Sequence, residues 1–255
     1  MNHKPWQAIF DKYEIHNHDF SKEPYVLTAE QIKKATAHFS TTNEREVRVL
    51  CKQDSRDDRP EIFVKNNLFL LPVKNRTYVI LEGEGYVDIP EIITTPITYK
   101  SKLDFELETS KVGNSEMQHL DFAYASSLIR SFMNDTSLVL TIRGRKYTPK
   151  FDFTAGRFNQ KITAESVQTE VDAGYEGKNQ VVLIEAKNSQ TQNTIIRQLY
   201  YPYRQWQYHT SKKVNILFFE KRHDVYSLWN YEFYDINNYN SIKLTNSVQY
   251  EIKSV

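Results

Sequence analysis

The sequence predicts an α/β protein built on a mixed sheet, and three observations lead to that prediction. Helix and strand patterns in the second half follow the order α-β-β-β-α-β, which is typical of helices layered on a sheet. Aromatic residues are abundant (17 Tyr, 14 Phe and 3 Trp), whereas Gly and Pro number only 7 and 8, so the chain can build a packed core. Its apolar runs stop at four residues, far short of the roughly 18 that cross a bilayer. We therefore expect a folded protein that does not span a membrane.

Charge and cysteine content narrow the function classes. Lys and Arg total 33 against 32 Asp and Glu, a net charge of +1, which excludes a chain coated with positive charge for holding nucleic acid. The balance of charge over the whole chain still allows a basic patch on one face of the protein. The first residues lack the apolar stretch of a secretory signal, and the single cysteine, Cys51, cannot form an internal disulfide. These features predict a cytoplasmic protein.

In the N-terminal part, helices are followed by a hairpin. Thr28 and Gln31 have the spacing of a capping box, and apolar residues at helical spacing then predict a helix over 29–39. A short helix is expected next at 60–64. Two strands follow at 68–73 and 77–82, joined by a turn at 74–76. This arrangement resembles a winged helix. Residues 83–114 read as irregular, with Pro90 and Pro96, so the domain junction is expected there.

The second half carries the α-β-β-β-α-β pattern. Apolar residues at helical spacing predict one helix over 116–133, and Pro202 is expected to kink a second helix over 193–208. The strands are expected at 138–143, 167–175, 181–187 and 214–220.

The strands at 167–175 and 181–187 flank a turn sequence, Gly177-Lys178-Asn179, which predicts an antiparallel hairpin. With the centre of the turn between Lys178 and Asn179, paired residues have numbers that sum to 357. Because side chains alternate between faces, four charged residues would then share one face, with Asp172 opposite Glu185 and Glu170 opposite Lys187. Val171 and Ala186 would point to the other face.

These residue types suit phosphodiester hydrolysis. Two carboxylates about 5 Å apart repel each other unless a cation or a proton lies between them. Mg²⁺ prefers one or two carboxylates together with water and phosphate oxygens. A neighbouring ammonium group such as Lys187 can stabilise a hydroxide nucleophile or the charge that develops on a phosphate. The alternative interpretation is a solvated charged face on a hairpin.

At Asp172 and at Glu185-Ala186-Lys187 the chain resembles the PD-(D/E)XK nuclease superfamily, with Val171 in place of the motif's proline. The predicted α-β-β-β-α-β order over about residues 116–220 resembles that family's core. The resemblance implies a restriction-endonuclease-like fold in which Asp172, Glu185 and the backbone carbonyl of Ala186 bind Mg²⁺, and Lys187 orients or activates the attacking water. Glu170 would be a partner of Lys187 or a ligand of a second metal.

The chain length and the N-terminal extension resemble those of a type II restriction endonuclease. That resemblance implies a Mg²⁺-dependent homodimer that hydrolyses double-stranded DNA at a specific short site and leaves 5′-phosphate ends, paired with a cognate DNA methyltransferase. Residues 1–100 would then form an accessory, DNA-recognising domain of winged-helix type, and residues 101–255 the catalytic domain. A repair or mobile-element nuclease on the same core, or a DNA-binding module without turnover, remain alternatives.

Two segments are candidates for DNA contacts. Residues 143–161 carry six cations and one acid, so the segment has a net charge of +5 and suits a phosphate backbone, although an ordinary basic loop is equally consistent. The chain around residue 195 carries Gln and Asn amides and an Arg, and these side chains are donors of the kind that read base edges or phosphates. The predicted DNA-binding residues are Arg143, Arg145, Lys146, Lys150, Gln192, Asn193 and Arg197.

Overall fold

In the computed structural model, which describes residues 2–253, the N-terminal region is a small helical layer on a three-stranded sheet. Its elements are α1 (His3–Lys12), β1 (Tyr25–Thr28), α2 (Ala29–Thr36), α3 (Thr42–Arg45), α4 (Val47–Leu50), α5 (Glu61–Lys65), β2 (Leu68–Lys74) and β3 (Thr77–Glu82). The strands are antiparallel in the order β1-β3-β2. Trp6 is fully buried at the centre of this layer and meets the ring of Phe63 edge-on, with 4.7 Å between the ring centroids.

The predicted helix start at Thr28 is confirmed. The backbone N–H of Gln31 donates to the Thr28 hydroxyl (3.2 Å), and the Gln31 side-chain oxygen accepts from the Thr28 N–H (2.8 Å), which is a complete capping box. The helix ends at Thr36, three residues before the expected end. The expected short helix and both hairpin strands are also present.

A seven-stranded mixed sheet forms the second region, and it confirms the predicted α/β class. Its elements are β4 (Tyr86–Asp88), β5 (Ile97–Lys100), α6 (Glu116–Ala125), α7 (Leu128–Phe132), β6 (Val139–Tyr147), β7 (Phe151–Ala155), β8 (Gln160–Ala164), β9 (Gln168–Glu176), β10 (Gln180–Lys187), β11 (Asn193–Ile195), α8 (Arg197–His209), β12 (Lys213–Arg222), β13 (Val225–Phe233) and β14 (Ile242–Lys253). The sheet order is β5-β14-β13-β12-β10-β9-β6. Two neighbour pairs, β10 with β12 and β14 with β5, are parallel, and the others are antiparallel.

Strand β10 lies between two cores because helices cover both faces of the sheet. Val181 and Leu183 pack on the side of α8, together with Leu199 of that helix. Val182 and Ile184 pack on the side of α6 and α7. Because β10 and β12 are parallel, the chain must cross over between them, and α8 makes that crossover.

Both long helices differ from the prediction. The expected helix over 116–133 is two helices, because Ser127 has a left-handed backbone (φ +67°) that ends the helical path. The expected helix over 193–208 begins only at Arg197, because residues 193–195 form β11 and pair with β4. The basic segment 143–161 is not a loop, since it holds the end of β6, the strand β7 and the turn into β8.

The N-terminal sheet packs against the β7–β8 hairpin and α8 through one shared apolar cluster that includes Phe69, Phe153 and Tyr201. The Tyr201 hydroxyl donates to the carbonyl of Pro72 (2.9 Å), which ties α8 to β2. Between the two regions a cleft of about 610 Å³ remains open, and it reaches the end of β10. No helix within residues 2–253 has the length and apolarity needed to cross a bilayer.

Candidate active site

The β9–β10 hairpin has the predicted register. Its pairs run from Val181 with Glu176 to Ile184 with Ala173, so their residue numbers sum to 357. The ladder ends at Ile184 and Ala173, and the two strands then separate. Asp172 and Glu185 are the next residues on each strand, so they stand on the two sides of the point where the strands part.

The Asp172 carboxylate takes the place of a backbone acceptor in this gap. Gly177 N–H donates to the carbonyl of Gln180, and bonded pairs alternate along an antiparallel ladder, so the backbone groups of Ala186 face β9. The Ala186 N–H donates to Asp172 Oδ2 at 2.8 Å. By the same alternation the Ala186 carbonyl is directed into the gap, as expected for a backbone metal ligand.

The predicted facing of Val171 is wrong, whereas that of Ala186 is confirmed. Ala186 packs on the α6 side with Ala173, but Val171 packs on the α8 side with Leu183 and Leu199. The alternation of side chains between the two faces of the sheet therefore breaks in β9 at Asp172. Beside this point the pairing of β6 with β9 shifts register, and Gly144 adopts a left-handed backbone (φ +71°) with open space around it. The bulge accounts for this glycine, because a left-handed backbone favours glycine.

Glu185 and Lys187 form a close, mostly buried ion pair. Lys187 Nζ donates to Glu185 Oε1 at 2.5 Å, and the Glu185 side chain is only 11% exposed. The pKa of Glu185 is raised to about 7, chiefly by burial, with Lys187 opposing the shift and the nearby charge of Asp172 adding to it. Burial also raises the pKa of Asp172. Burial alone would lower the pKa of Lys187, but the charge and hydrogen bond of Glu185 together with the charges of Asp172 and Glu116 outweigh burial, so the net shift is upward and the ammonium keeps its proton.

This set of donors fits Mg²⁺. The two carboxylates and the Ala186 carbonyl are all oxygen ligands at one gap, and Asp172 and Glu185 line the cleft. Burial is the main cause of the raised pKa of both acids, so a bound cation would stabilise their ionised forms. Within residues 2–253 there is no group of three or more His, Cys, Asp and Glu residues that could hold a metal. A cation at this gap would therefore complete its shell with water and with oxygens of the substrate.

Glu170 does not lie opposite Lys187 as predicted. Beyond Asp172, β9 pairs with β6 instead of β10, and this pairing sets Glu170 across from Arg145. The two side chains form an exposed ion pair with Nε to Oε2 at 3.3 Å. Glu170 still lines the cleft, but its partner is on the edge strand.

The predicted DNA-binding residues separate into three groups. Arg143 pairs with Asp121 of α6 and Arg145 with Glu170, so both are committed to acids. Asn193 is buried, and its side-chain oxygen accepts the Arg56 N–H at 2.7 Å, which makes it a structural link and corrects its prediction as a DNA contact. The residues of this set that are exposed and have no ion pair in the described chain are Lys146, Lys150 and Gln192.

Arg197 is the member of that predicted set that lines the cleft in the described structure. It lies at the start of α8, and its guanidinium is 3.5 Å from the Asp54 carboxylate. Its charge also lowers the pKa of Glu185, against the larger effect of burial. The cleft thus joins Asp172, Glu185, Lys187 and Arg197.

Sequence reasoning found only part of the opposite wall of this cleft, because it named Arg48 and Lys52 as candidates for extra groove or backbone contacts, with a solvated surface at least as consistent. That wall contains residues of the N-terminal region, among them Arg48, Lys52, Gln53, Lys74 and Arg76. For Lys74 and Arg76 the signal in the sequence was the basic turn 74–76 between the two predicted strands. Its position across from the carboxylates depends on packing between distant segments.

Comparison with known proteins gives two family matches. No curated protein and no solved structure matches the chain significantly. A model described as a domain of unknown function, DUF6996, matches residues 3–80, and a second, also described as a domain of unknown function, DUF6997, matches residues 81–251. Because the second match covers more than half of the 255 residues, including the whole β9–β10 hairpin and α8, the chain belongs to the DUF6997 family.

Proposed function

We propose that this protein is a Mg²⁺-dependent endonuclease that hydrolyses double-stranded DNA at a specific short site and leaves 5′-phosphate ends, as a type II restriction endonuclease does. The observation that carries the proposal is the meeting of Asp172, Glu185 and Lys187 where β9 and β10 part. The order α6/α7-β6-β9-β10-α8-β12, into which the β7–β8 hairpin and β11 are inserted, supports it, since it resembles the α-β-β-β-α-β order of the PD-(D/E)XK core.

Each residue of this centre has a role in phosphodiester hydrolysis. Mg²⁺ bound by Asp172, Glu185 and the Ala186 carbonyl would supply positive charge at the phosphate and make a coordinated water more acidic. Lys187 keeps its proton beside Glu185, so it can donate a hydrogen bond to the attacking water or to a phosphate oxygen. The hydrogen bond from Ala186 fixes the Asp172 carboxylate at the edge of the gap.

A DNA-binding module without turnover explains the site less well. Such a module has no use for two buried, adjacent carboxylates, because they repel phosphate and their desolvation costs free energy. A repair or mobile-element nuclease would use the same centre, so the pattern of products separates it from a restriction enzyme. Restriction would also require a cognate methyltransferase to protect the host DNA, and cutting both strands would most simply use a homodimer.

Plasmid digestion tests the proposal. The purified full-length protein is incubated with several unrelated plasmids in Mg²⁺, with EDTA and the Glu185→Gln variant as matched controls. Discrete fragments that differ between plasmids, and that are ligatable without added phosphate, are expected only with wild-type protein and Mg²⁺. Random degradation would favour a repair-type nuclease. Intact DNA with Mg²⁺ and with Mn²⁺, across several plasmids of known sequence, would overturn the proposal.

A further inference from the structure

The wall of the cleft that faces Asp172 and Glu185 is built by the end of α4, the loop after it and the β2–β3 hairpin. Its charged residues are four cations and one acid, namely Arg48, Lys52, Lys74, Arg76 and Asp54. The catalytic wall instead carries three acids and two cations, namely Glu170, Asp172, Glu185, Lys187 and Arg197. The N-terminal wall therefore has a net charge of +3, against −1 for the catalytic wall, although the whole chain has +1.

The cations of this wall are weakly engaged within the protein. The N···O distances are 3.6 Å from Arg48 to Glu46, 3.9 Å from Lys52 to Asp54 and 3.9 Å from Lys74 to Glu165. The three cationic side chains are between 65% and 91% exposed, and such exposed pairs contribute little to stability. A phosphate can thus replace these partners at little cost in free energy.

Arg76 is placed for the same task. It is exposed at the tip of the β2–β3 hairpin and has no ion pair among the residues that the structure describes. Its carbonyl accepts the N–H of Ala29 at the start of α2 (2.8 Å), which holds the turn in place. Its side chain is therefore presented from an anchored backbone.

Gln53 is a further polar residue of this wall that lacks side-chain partners in the described structure. Its side chain is buried, and both the amide nitrogen and the amide oxygen lack a hydrogen-bond partner. Buried amides are almost always paired, so turning this side chain into the cleft would let its free donor and acceptor bind a ligand there. A Gln amide can bond adenine through one donor and one acceptor.

We propose that this N-terminal wall holds the DNA duplex over the catalytic centre, with Arg48, Lys52, Lys74 and Arg76 on backbone phosphates and the Gln53 amide on a base edge. This inference rests on the proposed function for the nature of the substrate. The main phosphate contacts are then made by this wall and not by segment 143–150, which the sequence had predicted, because the two arginines of that segment are already paired with Asp121 and Glu170.

The test measures the salt dependence of DNA binding, in the presence of EDTA so that no cleavage occurs. A fluorescent duplex is titrated with wild-type protein and with two double variants, R48A/K52A and K74A/R76A, between 50 and 300 mM KCl. Each lost phosphate contact should reduce the slope of log K against log salt by about 0.9, so each double variant should lose about two. The control is K33A/K34A, because these exposed lysines of α2 do not line the cleft. Its slope should match that of the wild type.

Plasmid cleavage by the wild type and by each variant is measured in parallel, and circular dichroism establishes that each variant folds. Unchanged slopes in both cleft variants, with cleavage intact, would overturn this inference and leave the endonuclease proposal standing. Reduced slopes without any cleavage by the wild type would support the DNA-binding wall and refute the endonuclease.

A separate variant, Gln53→Leu, tests base reading. It should keep the wild-type salt slope but bind a DNA fragment that the protein cleaves with a smaller preference over a fragment that it does not cleave. An unchanged preference would remove Gln53 from base reading.

Discussion

The Asp172 carboxylate has two tasks that two substitutions can separate. It accepts the Ala186 N–H where the β9–β10 ladder ends, and it is proposed to supply a charged oxygen to Mg²⁺. Asp172→Asn keeps an acceptor oxygen and the side-chain shape but removes the charge. Asp172→Ala removes the charge and the acceptor together. The two variants should therefore agree in activity and differ in stability.

The expected stabilities follow from this one hydrogen bond. Asp172→Ala leaves a partly buried backbone N–H without its acceptor, which should lower the free energy of unfolding by about 1–3 kcal/mol. Asp172→Asn should stay within about 1 kcal/mol of the wild type, because the bond is retained. Loss of the charge itself should not destabilise the metal-free protein, since burial raises the pKa of Asp172 and the fold thus disfavours its ionised form.

Urea unfolding in EDTA measures the two free energies, and plasmid cleavage in Mg²⁺ measures the activities. Both variants should lose at least about 100-fold in cleavage rate, because an Asn amide or an Ala methyl cannot replace an anionic ligand. Asp121→Asn is the matched control, since that acid is exposed, pairs with Arg143 and lies outside the cleft. Cleavage by Asp172→Asn within tenfold of the wild type would refute the metal-ligand role. Equal stability of the Asn and Ala variants would refute the structural role of the bond.

Three further predictions concern other parts of the molecule. A mixture of wild type with Lys187→Ala should give open-circle plasmid in excess of linear product if a dimer cuts the two strands, whereas linear product alone from a protein that sediments as a monomer would exclude it. Ser127→Val should lower the free energy of unfolding by about 1–2 kcal/mol relative to Ser127→Gly, because a β-branched residue is strained at φ +67°, and equal urea midpoints would contradict this. Burial raises the pKa of the Cys51 thiol to about 12, so alkylation at pH 8, followed by mass spectrometry, should be roughly 1,000-fold slower than for an ordinary thiol, and a normal rate would contradict that burial.

The sequence predicted the β9–β10 half of the site correctly because a short turn sets the pairing of these two strands. A turn at Gly177-Lys178-Asn179 fixes which residues of β9 and β10 face each other, so the register and the meeting of Asp172 with Glu185 follow from local rules. The positions of Glu170 and Val171 do not follow, because they depend on β6. That strand joins β9 from more than twenty residues upstream and shifts register near Gly144, which no pattern within the hairpin reveals.

The errors at the helices have the same origin. Residues 193–195 continue the helical pattern of α8, but β4 offers them a strand partner from about a hundred residues earlier, and pairing prevails over periodicity. At Ser127 the helix breaks without a Gly or Pro to signal it. The long strands β13 and β14 went unpredicted because four of the nine residues of β13 and all twelve of β14 are only partly buried or exposed, which weakens the apolar signal.

The distribution of charge explains why the DNA-binding prediction and the structure diverge. Counting charges along the chain selects segment 143–161, but folding brings Asp121 and Glu170 to its arginines and cancels part of that charge. The N-terminal wall has acids beside it in the sequence, yet its cations meet those acids only at 3.6 Å or more and stay exposed. Three of the four carboxylates of the cleft come from residues 81–251 and four of its six cations from residues 3–80, so the two matched regions supply different halves of one site. We therefore expect neither region alone to bind and cut DNA, because separating them would leave the acids without a basic wall to hold a polyanion against them.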